Sequence, residues 1–297
     1  MYSGTYQPAS SFVVMPMCRY ALILLAFGAL PTVHAQVNEI GITGGATYYI
    51  GDLNPGKHYP SETKLGGGLL FRHNLTDRFA LRFQALYGTL QAYDSESDDS
   101  LAVLRNLHFR ARLFEFSGLM EVNFFKYRSR DKDGRKWTPF LFAGLAYFRA
   151  NPQAILNDTW YSLQSLGTEG QGTTARDTEA YKIDQISIPF GAGLKFNFGR
   201  LDMQLEWGLR RTYTDYIDDV SGTYVDNDVL AVENGPLAAA LADRSGLNEL
   251  PGYSNADRAR GDRNTRDWYN YSGISFTYIL SRFSDCDAQY NWMRNKR

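Results

Sequence analysis

The stretch ISIPFGAGLKFNFGRLDMQLEWGL, Ile186–Leu209, decides the fold. From Ile186 to Phe198, and again from Leu201 to Leu209, every second residue is large and apolar, apart from Ala192. Between them stand Ser187, Gly191, Gly193, Lys195 and Asn197, then Asp202, Gln204 and Glu206. Period-two alternation is the signature of strands with two unlike faces. The two strands meet at Gly199–Arg200, and a two-residue loop with Gly first suits a II′ hairpin turn. That turn sets a register of Phe198 with Leu201, Phe196 with Met203, Leu194 with Leu205 and Ala192 with Trp207 on the apolar face. On the other face Asn197 meets Asp202 and Lys195 meets Gln204, with Asp202 and Glu206 diagonal to Lys195. A one-residue slip would turn Lys195 to the greasy side.

The same alternation recurs along the chain. It predicts strands near Glu39–Ile50, Lys64–His73, Arg78–Leu90, Phe114–Phe125, Thr138–Arg149 and Tyr269–Leu280. On Thr138–Arg149 the apolar row is read as Phe140, Phe142, Gly144, Ala146 and Phe148. With the opening pair this makes eight strands, each long enough to cross a bilayer when tilted. Short connections at His73–Asp77, Lys126–Trp137 and Gly199–Arg200 alternate with long ones at Asp52–Thr63, Gln91–Asn106, Ala150–Lys182 and Thr214–Asp267. Tight periplasmic turns and long external loops are how outer-membrane barrels are built. The expectation is therefore an all-β fold, an eight-stranded antiparallel transmembrane β-barrel with long external loops and both termini periplasmic. Its apolar face meets lipid, and the closed sheet pairs every backbone N–H and C=O. Pro189, inside a barrel strand, calls for a bulge or a late strand start.

Composition agrees. The chain has 297 residues, a net charge of -1 and a mean hydropathy of -0.37, which gives no argument for nucleic acid and excludes a helical membrane protein. The one long apolar run, Ala21–Leu30, is too short to span a bilayer. Preceded by Arg19 and followed by Pro31 and Val33–Ala35, it reads as a secretory signal peptide cut between Ala35 and Gln36, with Met15 or Met17 as alternative starts. Cys18 precedes the run, which argues against lipidation. The expected organisation is 1–35 extension and signal, 36–281 barrel and 282–297 periplasmic tail. The mature chain keeps one cysteine, Cys286, so neither an internal disulfide nor a cysteine metal cluster is expected.

Eight strands enclose a space that side chains fill. The expected lumen sets Arg82, Lys195 and Arg210 against Glu115, Glu121, Asp202 and Glu206, with Arg82 and Glu121 at similar heights. A paired polar plug is the expectation; a proton or ion path is the alternative. The histidines of the mature chain are His58, His73 and His108, and its sequence holds no G-x-S-x-G, H-E-x-x-H or phosphate loop. The reading is of no enzyme and no cofactor, while a Ser/His/Asp site assembled from separate loops is the open alternative. The acidic run Thr214–Asp228 offers Asp215, Asp218, Asp219, Asp226 and Asp228 to Ca²⁺ without EF-hand spacing; a polar external loop is the plainer reading. Pro236–Leu247 is expected to form a short helix. The turn Lys126–Trp137 carries Lys126, Arg128, Arg130, Arg135 and Lys136 beside Trp137, which suits a periplasmic partner or an anionic headgroup; a solvated turn is equally compatible.

YIGDLNPG (Tyr49–Gly56), RNLHFRARLFEFSGLMEVNFF (Arg105–Phe125), TPFLFAGLAYFRANP (Thr138–Pro152), WYSLQSLGTEGQG (Trp160–Gly172), IPFGAGLKF (Ile188–Phe196), RRTYTDYIDDVSGTYVD (Arg210–Asp226) and DWYNYSGISFTY (Asp267–Tyr278) resemble the PorG family of outer-membrane barrels. The resemblance spans essentially the whole mature chain. It implies a component of the type IX secretion machinery, linked in some bacteria to gliding. It also implies a barrel that is not the translocon and that associates with a periplasmic ring of a PorK-like lipoprotein and a PorN-like protein. Two other classes stay open: a passive structural or adhesive barrel, and a lipid-modifying barrel enzyme.

Overall fold

A computed structural model of the protein describes residues 37–56, 59–127, 135–176, 178–247, 250 and 253–280. The expected signal segment with its Ala35/Gln36 cleavage site, His58, Arg128, Arg130, Cys286 and the tail lie outside the described residues.

Nine strands form one antiparallel sheet: β1 (Val37–Ile50), β2 (Lys64–Asn74), β3 (Phe79–Tyr93), β4 (His108–Asn123), β5 (Trp137–Leu156), β6 (Thr159–Ser162), β7 (Asp184–Asn197), β8 (Leu201–Thr212) and β9 (Trp268–Ile279). Eight of them close into a ring, with β1 on β9 from Glu39↔Ile279 to Ile50↔Trp268 and β4 on β5 from Arg110↔Gln153 to Asn123↔Phe140. The ninth, β6, pairs with β5 alone, above the ring.

The distribution of side chains is inside out. Ile42 and Leu145 are 60% and 65% exposed, whereas Arg72 and Glu121 are 1% and 0% exposed. Water would reward the reverse arrangement. A continuous apolar wall around a charged interior is stable only where the outer solvent is hydrocarbon. The protein is an eight-stranded antiparallel transmembrane β-barrel.

The β7–β8 hairpin has the expected register: Phe196↔Met203, Leu194↔Leu205, Ala192↔Trp207, Lys195↔Gln204 and Asn197↔Asp202. Phe198 N–H donates to Leu201 O at 2.8 Å, and Gly199 takes φ +91°, the left-handed region that a Cβ would strain.

Four expectations are corrected. On β5 the row Phe140, Phe142, Ala146 and Phe148 points inward, and Leu141, Leu145 and Tyr147 face lipid. Both rows of this strand are apolar, so alternation alone carries no direction. Pairing supplies it, because Phe142 lies opposite the inward Glu121. Space for the rings comes from β7: a Cβ on Gly193 would sit 2.5 Å from the Phe140 ring and one on Gly191 2.7 Å from that of Phe142.

Pro189 needs neither a bulge nor a late start. The β7–β8 register runs through it unbroken, and β5–β7 pairing lapses only between Ala143↔Phe190 and Ala146↔Ser187. One ladder bond is lost without a shift of register.

The third correction is that the strands outrun their expected ends. β3 reaches Tyr93, β4 begins at His108, and β5 continues to Leu156 and turns back through β6. Much of the expected loop Ala150–Lys182 is thus a hairpin tip, with Asn157 and Asp158 at φ 49° and 61° as an I′ turn demands. Last, the helices differ. α1 (Ser100–Arg105) and α2 (Asn227–Glu233) were not foreseen, and α3 (Pro236–Ala242) stops short of Leu247.

Leu145→Arg sets a charge in the apolar band, at a cost of about 2–4 kcal/mol near the midplane. Phe142→Ala opens an internal cavity, at a cost of about 3–5 kcal/mol. Urea titration in lipid vesicles is expected to show both losses. Only the first should lower the yield of inserted barrel.

Candidate functional site

Three regions carry chemistry: the lumen, the short-turn end and the cap at the long-loop end. In the lumen, inward positions of β1, β2, β3, β4, β7 and β8 converge on Glu121. Its Oε2 accepts from Lys195 Nζ at 2.6 Å and Arg72 Nε at 2.8 Å, and its Oε1 pairs with Arg82 Nε at 3.0 Å. Arg72 also donates through Nη1 to Glu39 Oε2 at 2.7 Å and through Nη2 to Gln204. Arg82 bonds Glu206 through Nη1. Asn197 Nδ2 donates to Asp202 at 2.5 Å. Six residues along the same strand, toward the long-loop end, Glu115 takes Arg210 Nε at 3.3 Å and the Tyr269 hydroxyl at 2.8 Å. The seven lumen residues named from the sequence are therefore all buried and gathered inside the ring. The register sets Asp202 and Glu206 diagonal to Lys195 as expected, and Lys195 Nζ itself donates to Glu121 Oε2 and, at 3.0 Å, to Asn123 Oδ1.

Aromatic rings complete the filling. Arg82 lies 5.0 Å from the Phe142 ring centroid and Lys195 Nζ 4.7 Å from that of Phe140. Arg72, Arg82, Arg210 and Lys195 rank among the largest fully buried side chains. A water-filled channel would leave them wet. The interior is a paired plug.

At the short-turn end, Lys126, Arg135, Lys136 and Trp137 are exposed. Arg135 sits 4.2 Å over the Phe125 ring, which meets Trp137 edge-on at 5.5 Å. The result is a cationic, aromatic patch, close in sequence to Arg128 and Arg130.

The cap is built by LGTEGQG (Leu166–Gly172) and TYTDYIDDVSGTYVD (Thr212–Asp226). Glu169, from LGTEGQG, accepts the backbone N–H groups of Ser221 and Gly222 at 3.0 Å and Arg260 Nη1 at 3.2 Å. Thr168 bonds Asp219, and Tyr181 donates to Asp219 at 2.6 Å. Between these residues Ile217 and Val220 plunge into the barrel mouth and join Tyr49, Phe109, Phe148 and Tyr269 in an apolar core. The acidic run is thus an external loop that stoppers the barrel mouth. Its buried carboxylates Asp218 and Asp219 are committed to protein partners, and among the described residues no group of three or more His, Cys, Asp or Glu is disposed to hold a metal ion. Nor does either described histidine bond a serine: His73 Nδ1 meets Asn38 Oδ1 at 2.6 Å, and His108 Nε2 accepts from Ile155 N–H at 3.0 Å.

A family model described as Domain of unknown function (DUF6089) matches residues 18–239. The chain belongs to that family. A search of curated proteins finds no match. Among solved structures, Ail of Yersinia pestis, in complex with the heparin analogue sucrose octasulfate, is similar at 9% identity and TM-score 0.38, over 83% of this chain and 100% of that one. Neisserial surface protein A is similar at 9% identity and TM-score 0.39, over 82% and 97%. The N-terminal barrel domain of Pseudomonas aeruginosa OprF is similar at 14% identity and TM-score 0.34, over 82% and 100%. Likeness this distant says nothing about function.

Sequence reasoning missed Arg72, Glu39 and Arg260. Arg72 and Glu39 were legible in principle, since each alternates with an outward residue, Phe71 and Ile40. Arg260 has no local signal; it lies in an irregular loop and reaches Glu169, Asp219 and the Ala242 carbonyl only in the folded cap.

One cap cluster loosens as pH rises. The Tyr49 hydroxyl lies 2.7 Å from Asp218 Oδ2 and 2.6 Å from Asp267 Oδ1. A phenol supplies one proton, so the second contact requires a protonated carboxyl. Burial raises Asp218 and Asp267 well above the ordinary value of 3.8, and for Asp218 the Asp267 charge adds to it. Burial also lifts Asp215 to about 7 and Asp219 to about 6, the latter despite Arg260. With folded values above the unfolded one, the stability these protons provide is complete below 3.8 and is lost as pH rises through the folded values. Hydrogen exchange at residues 214–222, corrected for intrinsic rates, should therefore accelerate between pH 5 and 8. D267N, whose amide donates like the protonated acid, should flatten that dependence. In the lumen, E121Q removes the carboxylate shared by Lys195, Arg72 and Arg82, of which Arg72 keeps Glu39 and Arg82 keeps Glu206, and should cost about 3–5 kcal/mol in a urea titration.

Proposed function

We propose that this protein is a non-enzymatic component of the type IX protein secretion machinery, and of the gliding apparatus where one exists. It resides in the outer membrane with both termini in the periplasm. There it tethers a periplasmic ring of a PorK-like lipoprotein and a PorN-like protein. The observation that carries this reading is the filled lumen. A plugged barrel is no conduit, so its work is done at its ends. Support comes from the resemblance of its distinctive stretches to PorG, including the LGTEGQG and TYTDYIDDVSGTYVD segments that hold each other in the cap. Further support comes from the Arg135–Phe125–Trp137 cluster, where exposed aromatic area beside an arginine has the composition of an interface hot spot.

Exposed apolar residues on α1, with Leu101 at 72%, favour a second reading, an adhesive barrel that makes contacts through its loop end. A deletion strain separates the two: the first reading expects loss of type IX secretion, the second normal secretion. Ring docking is tested by reversing Arg128, Arg130, Arg135 and Lys136 to Glu. Ring proteins should no longer co-purify from solubilised outer membranes, while the barrel still assembles; unchanged co-purification rejects this docking surface. Orientation is tested with V232C, at a residue 84% exposed in the long loop. Whole cells should label it with an impermeant maleimide, and absence of labelling inverts the topology.

A further inference from the structure

Among the described strand residues, four arginines occupy outward positions, and all four stand at the long-loop end: Arg110 and Arg112 on β4, Arg149 on β5 and Arg211 on β8. We propose that Arg112 and Arg149 bind the phosphate of an anionic lipid headgroup on the outer wall of the barrel.

The placement follows from the ladder. Phe114, Phe116 and Met120 mark the lipid-facing row of β4, and Arg112 is the next member of that row; on β5 the row Leu141, Leu145, Tyr147 continues to Arg149. Arg149 is the partner of Phe114 and Asn151 that of Arg112, so the two guanidinium stems are diagonal neighbours on one face, about 7–8 Å apart at their roots. A phosphate fits between two such forks and accepts from both. Both side chains are exposed, and the one ion pair between them and the rest of the described residues is Arg149 to Asp184, at a loose 3.8 Å. Arg110, one step further along, lies 3.7 Å from the Trp160 ring centroid and adds positive potential.

The surroundings specify a lipid. Tyr87, Phe114 and Tyr147, all about half exposed, form the aromatic belt at this level, where rings sit at headgroup depth. Acyl chains attached to a phosphate held here would run down Phe116, Leu141 and Leu145. A free phosphate would use none of that surface. Arginine at this depth extends its charge to the interface while its stem stays in the apolar layer. The assignment is independent of ring docking and of which leaflet the loop end meets; in the orientation proposed above it is the outer one.

The test uses the full mature chain folded in a neutral detergent, with native mass spectrometry counting bound lipid. The probes are diphosphorylated lipid A and, as zwitterionic control, phosphatidylcholine. The wild-type barrel should bind lipid A in preference, and R112Q/R149Q should lower that binding about tenfold or more, the effect of losing two charge-assisted contacts. R78Q, at an exposed turn residue of the opposite end, should bind as wild type. Heat-modifiable migration verifies that each variant is folded. Equal binding of the two lipids, or a folded R112Q/R149Q that keeps the wild-type preference, overturns the proposal. So does displacement of lipid A by millimolar inorganic phosphate, which would mark a site for the free anion.

Discussion

Closure of the sheet on itself is the constraint from which the rest of this structure follows. Once β1 pairs with β9, no strand edge is left in the ring and no backbone group needs water there. That frees the outer wall to be apolar, and within the apolar band it turns the strand charges inward. Charges confined in a dry interior need partners, and Glu121, with Arg72, Arg82 and Lys195 around it, answers that need. The plug is thus a consequence of the envelope, and it turns the barrel from a potential pore into a rigid post.

A post acts through its two ends, and these are built differently. The short-turn end presents cations stacked on aromatic rings at the surface. The long-loop end is sealed from within by Ile217 and Val220, which continue the barrel's own apolar core. Glu169, from the β6–β7 connection, and Arg260, from the late part of the stopper's own β8–β9 connection, hold the segment Asp219–Gly222 together, so loops that are long in sequence are short in free space. A cleft of ≈ 340 Å³ stays open between α1 and the late loop, with Leu101, Leu104, Leu247 and Tyr253 among its walls.

Legibility in the sequence varied with how unlike the two faces of each strand were. The β7–β8 hairpin was fully readable, because Lys195, Asn197, Asp202 and Glu206 oppose unbroken apolar rows and a Gly-first turn pins the register. β5 was not, since Phe140 and Phe142 oppose Leu141 and Leu145, and both rows look equally fit for lipid. Strand ends were underestimated where a strand continues past the membrane and loses its lipid-facing pattern, as β5 does beyond Arg149. The Asn157–Asp158 turn was a local signal passed over.

The amino-acid sequence by itself determined that the chain makes strands with an apolar face, how many close the ring, where tight turns fall and which charges lie inside. These are local matters of period two and turn chemistry. Only the tertiary structure decided which way β5 faces, that Lys195 donates to Glu121, and that Arg260 locks the cap. Each depends on which strands and loops, far apart in sequence, are brought within a few ångströms, and a short-range pattern holds no information about that distance.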